Sequence, residues 1–177
     1  MNTKVLFVSE TGNTAQVARE IFRGIPSRSK DIQPLESAID DYSFDCYFVG
    51  FWTNCGSANV EVLDFLSGLH GKKLALFSTC GMRNDSAYFS QIEHRVLAFL
   101  PDDNEYYGSF FCQGKMPMRV RQKYEQMLSG DHRNAAAKLI QNFDNALLHP
   151  SSEDLVHAAD FAKHIYQKIE QHQEALK

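Results

Sequence analysis

The chain lacks a Cys-x-x-Cys pair: its four cysteines, Cys46, Cys55, Cys80 and Cys112, are widely spaced. That argues against a thioredoxin-type motif or a zinc knuckle, and in a cytosolic chain they read as free thiols. There is no long apolar run near the start. Val5–Val8 is far too short for a signal-peptide core or a membrane span, so the expected compartment is the cytoplasm and no membrane partner is expected. There is no basic excess either. Eighteen Lys and Arg face 22 Asp and Glu, a net charge of −4, which argues against a general nucleic-acid binder. Neither G-x-x-x-x-G-K-[ST] nor G-x-G-x-x-G occurs, and no cysteine is followed six residues later by arginine, so a phosphatase-type thiolate loop is not supported. Internal repeats and low-complexity tracts are also missing.

The 177 residues fit one domain, and 44% apolar content is enough for a real core. Five short apolar runs are present: Lys4–Val8, a weak one near Ile32–Leu35, Cys46–Trp52, Leu74–Ser78 and Tyr106–Cys112. Several are continuous rather than alternating, which suits strands buried on both faces of a parallel sheet. Helical patterns lie between them. Thr14–Gly24 sets Val17, Ala18, Ile21 and Ile25 on one face. Val60–Leu69 does the same with Val62, Leu63, Leu66 and Leu69, and Ala87–Leu100 with Tyr88, Ile92, Val96 and Phe99. The alternation predicts an α/β fold, a doubly wound parallel sheet with helices on both faces. After the fifth run, two helical stretches, 118–128 and 132–148, are split by Ser129-Gly130-Asp131. His149-Pro150 then breaks the chain, and Ser151 or Ser152 caps a last helix that buries Leu155, Ala158, Ala159, Ala162, Ile165 and Ile169.

The sharpest local signal is Ser9-Glu10-Thr11-Gly12-Asn13-Thr14, between the first strand and the first helix. Gly12 permits a tight turn and a close ligand approach. The first amides of the helix have no internal partners and sit at the positive end of its dipole. Hydroxyls of Ser9, Thr11 and Thr14 and the Asn13 amide add neutral donors, and the loop has no Lys or Arg. Such a nest suits a phosphomonoester, although an ordinary capped helix start uses the same residue types.

The segment Val8-Ser9-Glu10-Thr11-Gly12-Asn13-Thr14 resembles the phosphate loop of flavodoxins, whose pattern after the first strand is Ser/Thr-x-Thr-Gly-Asn/Gln-Thr/Ser. The resemblance implies a five-stranded sheet of order 2-1-3-4-5, spanning 1–177 as one domain with 115–149 as a helical appendage. It also implies FMN at the carboxyl ends of strands one and three. Ser9, Glu10, Thr11, Gly12, Asn13 and Thr14 would hold the phosphate. Trp52, Thr53, Asn54 and Gly56 would flank the flavin ring from the loop after strand three. Trp52 would stack on it, unless it is a tryptophan buried at a strand end, whereas Phe51 alternates into the core. The loop 78–85 would line the other side through Thr79, Cys80, Gly81 and Met82. Many flavodoxins place a tyrosine there and this chain has none before Tyr88, so Cys80 or Met82 would abut the ring. For Cys80, a packing role is preferred to a redox one. Phe110–Lys115 resembles a segment of one flavodoxin subgroup with a His-Pro turn before its last helix, the accessory components of bilirubin reduction.

Residues 115–138 carry six basic side chains, including Lys115, Arg119, Arg121 and Lys123, against Glu125 and Asp131, a local charge of +4. They form either a lid or docking surface for an acidic substrate or partner, or a solvated helix face. His157 and His164 flank Asp160 on the last helix in a pattern that reads as a polar helix side rather than a metal site. No catalytic residue or metal ligand is assigned. Three functions follow: an electron carrier between a reductase and an acceptor enzyme, an FMN-dependent reductase or reductase subunit acting on a quinone or tetrapyrrole such as bilirubin, and a flavin-free binding module. The intact loop disfavours the third.

Overall fold

The computed structural model describes residues 1–38, 41–82, 85–130 and 132–175. The strands are β1 (Thr3–Phe7), β2 (Lys30–Pro34), β3 (Cys46–Trp52), β4 (Lys73–Cys80) and β5 (Glu105–Gln113). The helices are α1 (Asn13–Gly24), α2 (Val60–Ser67), α3 (Ser86–Leu97), α4 (Met118–Gln126), α5 (Arg133–Ala146) and α6 (Ser152–Ala175). The sheet is parallel with order β2-β1-β3-β4-β5, as expected.

The continuous apolar runs resolve into two alternating faces, because successive strand side chains point to opposite sides. Cys46 and Phe48 of β3 join Val5, Ala75 and Phe77 on one face, under α1 and α6. Tyr47, Val49 and Phe51 join Leu6, Leu74 and Leu76 on the other, under α2 and α3. Each large side chain buried this way contributes about 1.5–3 kcal/mol. Helices α1 and α6 meet closely where a Cβ on Gly24 would lie 2.1 Å from the Ala159 carbonyl oxygen. Lys4, in β1 between β2 and β3, is buried and bonds Asp31 of β2 at 2.6 Å and Asp41 at 3.3 Å, so its charge is paired.

Several local expectations change. Helix α3 stops at Leu97, and Phe99, placed on its buried face by periodicity, lies in the following turn with 47% of its surface exposed. Pro101 keeps that helix from continuing. Phe65 takes the fully buried place on α2, and Leu63 only packs at the edge. On α6, Leu155 and Ala159 are half-buried and Tyr166 is buried. The stretch 118–128 ends as α4 at Gln126 and continues in a 3-10 turn, Met127–Ser129. Asp131, of the predicted Ser129-Gly130-Asp131 break, lies outside the described residues. Ser151 caps α6 reciprocally: its Oγ accepts from the Asp154 amide, while Asp154 Oδ2 accepts from the Ser151 amide at 2.7 Å.

Candidate functional site

The carboxyl ends of β1, β3, β4 and β5 open onto a cavity of about 540 Å³. From the first loop, Glu10, Thr11 and Asn13 line it. Gly12 sits at the head of α1 with φ 85°, and a Cβ there would meet no atom within 4 Å, so the space above the turn is open. The amides of Glu10, Thr11, Gly12, Asn13 and Thr14 have no acceptor among the described residues. Ser9 and Thr14 do not line the cavity. Ser9 Oγ accepts from the Ala15 amide at 3.2 Å, and the buried Thr14 hydroxyl pairs with that of Thr79 at 2.9 Å. Asn13 Nδ2 donates to Thr11 Oγ1 and to the Lys115 carbonyl, both at 2.8 Å. The helix start is thereby tied to the exit of β5. Gly114 permits that approach, since a Cβ there would stand 2.9 Å from Asn13 Nδ2.

Trp52, Thr53, Asn54 and Cys55 line the next wall. The Thr53 amide donates to the Thr79 carbonyl at 2.9 Å, holding this loop beside β4. Asn54 and Ser57 exchange amide–carbonyl bonds of 2.9 and 3.0 Å around Cys55 and Gly56, whose φ values are 49° and 78°. Two successive positive φ values mark a type I′ turn, which explains a glycine at its second central position. Arg95 Nη1 donates to the Gly56 carbonyl at 3.1 Å. Gly56 therefore shapes and anchors the turn without lining the cavity. Trp52 is half-buried on the cavity wall, and Phe51 is fully buried against Phe111.

Thr79, Cys80, Gly81 and Met82 line the cavity from the end of β4, and Arg83 and Asn84 of that loop lie outside the described residues. Burial pushes the Cys80 thiol up, which keeps it protonated at neutral pH and fits a packing role. The Gly81 carbonyl accepts from Asn142 of α5 at 2.8 Å and from Gln113 at 3.2 Å, fixing the loop from two sides. Tyr88, assigned above to the core face of its helix, packs half-buried against the core there and also lines the cavity beside the Cys80 thiol. It stands one turn into α3, where Asp85 accepts from the amides of Ala87 and Tyr88. Its closeness to the loop was the available signal.

The appendage contributes more than the sequence suggested. Lys115, Met116 and Pro117, then Arg119, Val120, Lys123 and Tyr124, line the outer wall. Helix α4 buries no residue. The basic stretch divides: Arg119 pairs with Glu10, while Arg121 turns to α5, where it pairs with Asp144 over the Phe143 ring. His157 and His164 are exposed on α6, and no group of three or more His, Cys, Asp or Glu among the described residues is placed to hold a metal. No described helix is long and apolar enough to cross a membrane.

The Flavodoxin domain family matches residues 4–163. The flavodoxin-like domain-containing protein BilS of Clostridioides difficile (strain CD3) is 34% identical over 171 residues, covering 93% of this chain and 96% of that protein. Its namesake from Clostridium symbiosum (strain WAL-14163) is 31% identical over 173 residues, covering 88% and 90%. Among solved structures, oxidised flavodoxin 2 from Bacillus cereus superposes with a TM-score of 0.59 at 17% identity, covering 95% of this chain and 99% of that one. With the parallel order β2-β1-β3-β4-β5 and a cavity at the carboxyl ends of its strands, the chain belongs to the flavodoxin family, in its BilS-type subgroup.

Proposed function

We propose that this chain binds FMN in the cavity and carries electrons from a reductase to an acceptor enzyme in the cytoplasm. The observation that carries this reading is the row of amides from Glu10 to Thr14 with no acceptor among the described residues, at the head of a helix where the space above Gly12 is open. Hydroxyl protons add to it. Thr11, on the cavity wall, uses its oxygen as an acceptor, and the pair that Thr79 on the wall makes with Thr14 needs only one of its two protons. Such a set fits a phosphate, and the cavity volume lies within the range of about 300–1,000 Å³ common for cofactor sites. Trp52 and Tyr88 offer aromatic surface for the ring system, and the backbone of 79–82 offers polar groups for its pyrimidine edge. Bound FMN supplies one- and two-electron redox chemistry. The protein's part is to hold, orient and shield it. Glu10 is the one carboxylate lining the cavity among the described residues, and it is paired with Arg119, so no carboxylate is free there to act as a base.

A second reading is an FMN-dependent reductase or reductase subunit acting on a small organic acceptor such as a quinone or tetrapyrrole. The outer wall that α4 builds over the cavity favours it, because a simple carrier has little need of one. Purified protein, supplemented with FMN and freed of excess, is expected to be yellow with the absorbance bands of oxidised flavin. Colourless protein with no affinity for FMN overturns both readings and leaves a flavin-free binding module. Reduction by a nicotinamide cofactor without added reductase favours the second over the first.

A further inference from the structure

The loop proposed to take the phosphate has no cation of its own, and it carries an acid, Glu10, on the cavity wall. A phosphate monoester brings about −1.5 to −2 charges at neutral pH. Seated on the amides of Thr11–Thr14, it would stand beside the Glu10 carboxylate, and like charges at such range oppose binding. The appendage reverses that balance. Lys115, Arg119 and Lys123 line the same cavity, three cations against one carboxylate, in a chain whose net charge is −4. Arg119 reaches from α4 to Glu10, while Lys115 and Lys123 have no ion pair among the described residues. The Glu10 and Arg119 side chains are 39% and 65% exposed, so their pair adds little to folding stability. Its consequence is local: it cancels the one negative charge at the phosphate seat.

We propose that Arg119 is an affinity determinant for the ligand's phosphate, supplied by α4 to a loop that lacks positive charge. It acts by neutralising Glu10, and Lys115 and Lys123 complete a cationic wall facing the dianion. This rests on the reading of the cavity as a site for a phosphorylated flavin. Arg119 is a positioning residue: it acts through Glu10 and through the field in the cavity.

The test is a fluorescence titration of the full chain with FMN and, separately, with riboflavin, which has the same ring and no phosphate. Arg119→Ala is expected to weaken FMN roughly fivefold at low salt, with a smaller loss at high salt and no change for riboflavin. Adding Glu10→Gln to Arg119→Ala is expected to restore most of the affinity. Lys138→Ala removes a cation from the same segment away from the cavity and is expected to change neither titration. Unchanged FMN affinity in Arg119→Ala, or an equal loss of both flavins, overturns the proposal, as does wild-type protein that binds FMN no better than riboflavin. Wild-type protein that binds neither flavin removes the functional reading as well.

Discussion

The hydroxyl of Thr14, in the first turn of α1, lies 2.9 Å from that of Thr79 near the end of β4, and both residues are buried. The bond joins the helix start to a strand two places away in the sheet. Thr14→Val alone leaves the Thr79 hydroxyl buried without this partner, a loss of about 1–3 kcal/mol in urea denaturation. The double variant Thr14→Val with Thr79→Val is expected to lose less than the sum of the two single changes, because neither hydroxyl is then stranded.

Gly24→Ala is expected to destabilise the fold by about 1–3 kcal/mol, the range for overpacking. The new Cβ would lie 2.1 Å from the Ala159 carbonyl oxygen and 2.8 Å from its Cα. Those are backbone atoms of α6 and cannot rotate aside, so the two helices must separate. Gly71→Ala is a useful contrast: space around it is open, but its φ is 62°, and the cost there comes from backbone conformation alone. Denaturation midpoints of the two variants measure the two effects.

Acid is expected to weaken the β1–β2 seam around Lys4. A hydrogen bond from Lys4 is the main reason the Asp31 carboxyl is held below its ordinary value; Asp41 is lowered chiefly by its bond from Ser43, with Lys4 contributing. A carboxyl lowered on folding contributes stability that is fully present above its unfolded pKa, about 3.9. That contribution is lost as pH falls through the lower folded value. Denaturation midpoints should therefore hold steady in these groups from neutral pH down to about 5 and decline below about 4. Lys4→Met should make that acid decline shallower.

Trp52 is the chain's one tryptophan and stands on the cavity wall, so its emission reports on whatever enters. FMN is expected to quench it in proportion to occupancy. Trp52→Leu should weaken flavin binding by roughly two- to tenfold, corresponding to about 0.5–1.5 kcal/mol of aromatic contact. Quenching that fails to track occupancy would place the ring elsewhere.

The sheet was legible because its signals are local. Cys46–Trp52 reads as one continuous apolar run, and the strand occupies those same residues. The β1–α1 loop was legible for a similar reason: a glycine with positive φ and small polar neighbours stand next to each other in the chain. Phe99 was misplaced because periodicity carries past a helix end that Pro101 enforces, and nothing in an apolar spacing marks where burial stops. Tyr88 reads as a helical core residue, and its closeness to the loop after β4 hints at the cavity, but its place there depends on how α3 leaves β4. The pairing of Arg119 with Glu10, 109 residues apart, depends on the whole topology. A charge count showed that the appendage is basic, but not which of its cations face inward.

Helix α4 has no buried residue, and β5 already meets α6 directly, with Ile165 packed over Gly108. The frame of sheet and flanking helices is therefore joined across the stretch that holds α4 and α5, with Phe143 as the largest fully buried side chain of that stretch. The outer wall of the cavity behaves as an exchangeable part. Grafting the corresponding stretch from a relative should transplant preferences for what approaches the cavity while leaving the scaffold's melting behaviour nearly intact, a degree of evolutionary freedom that the strand-end loops do not share.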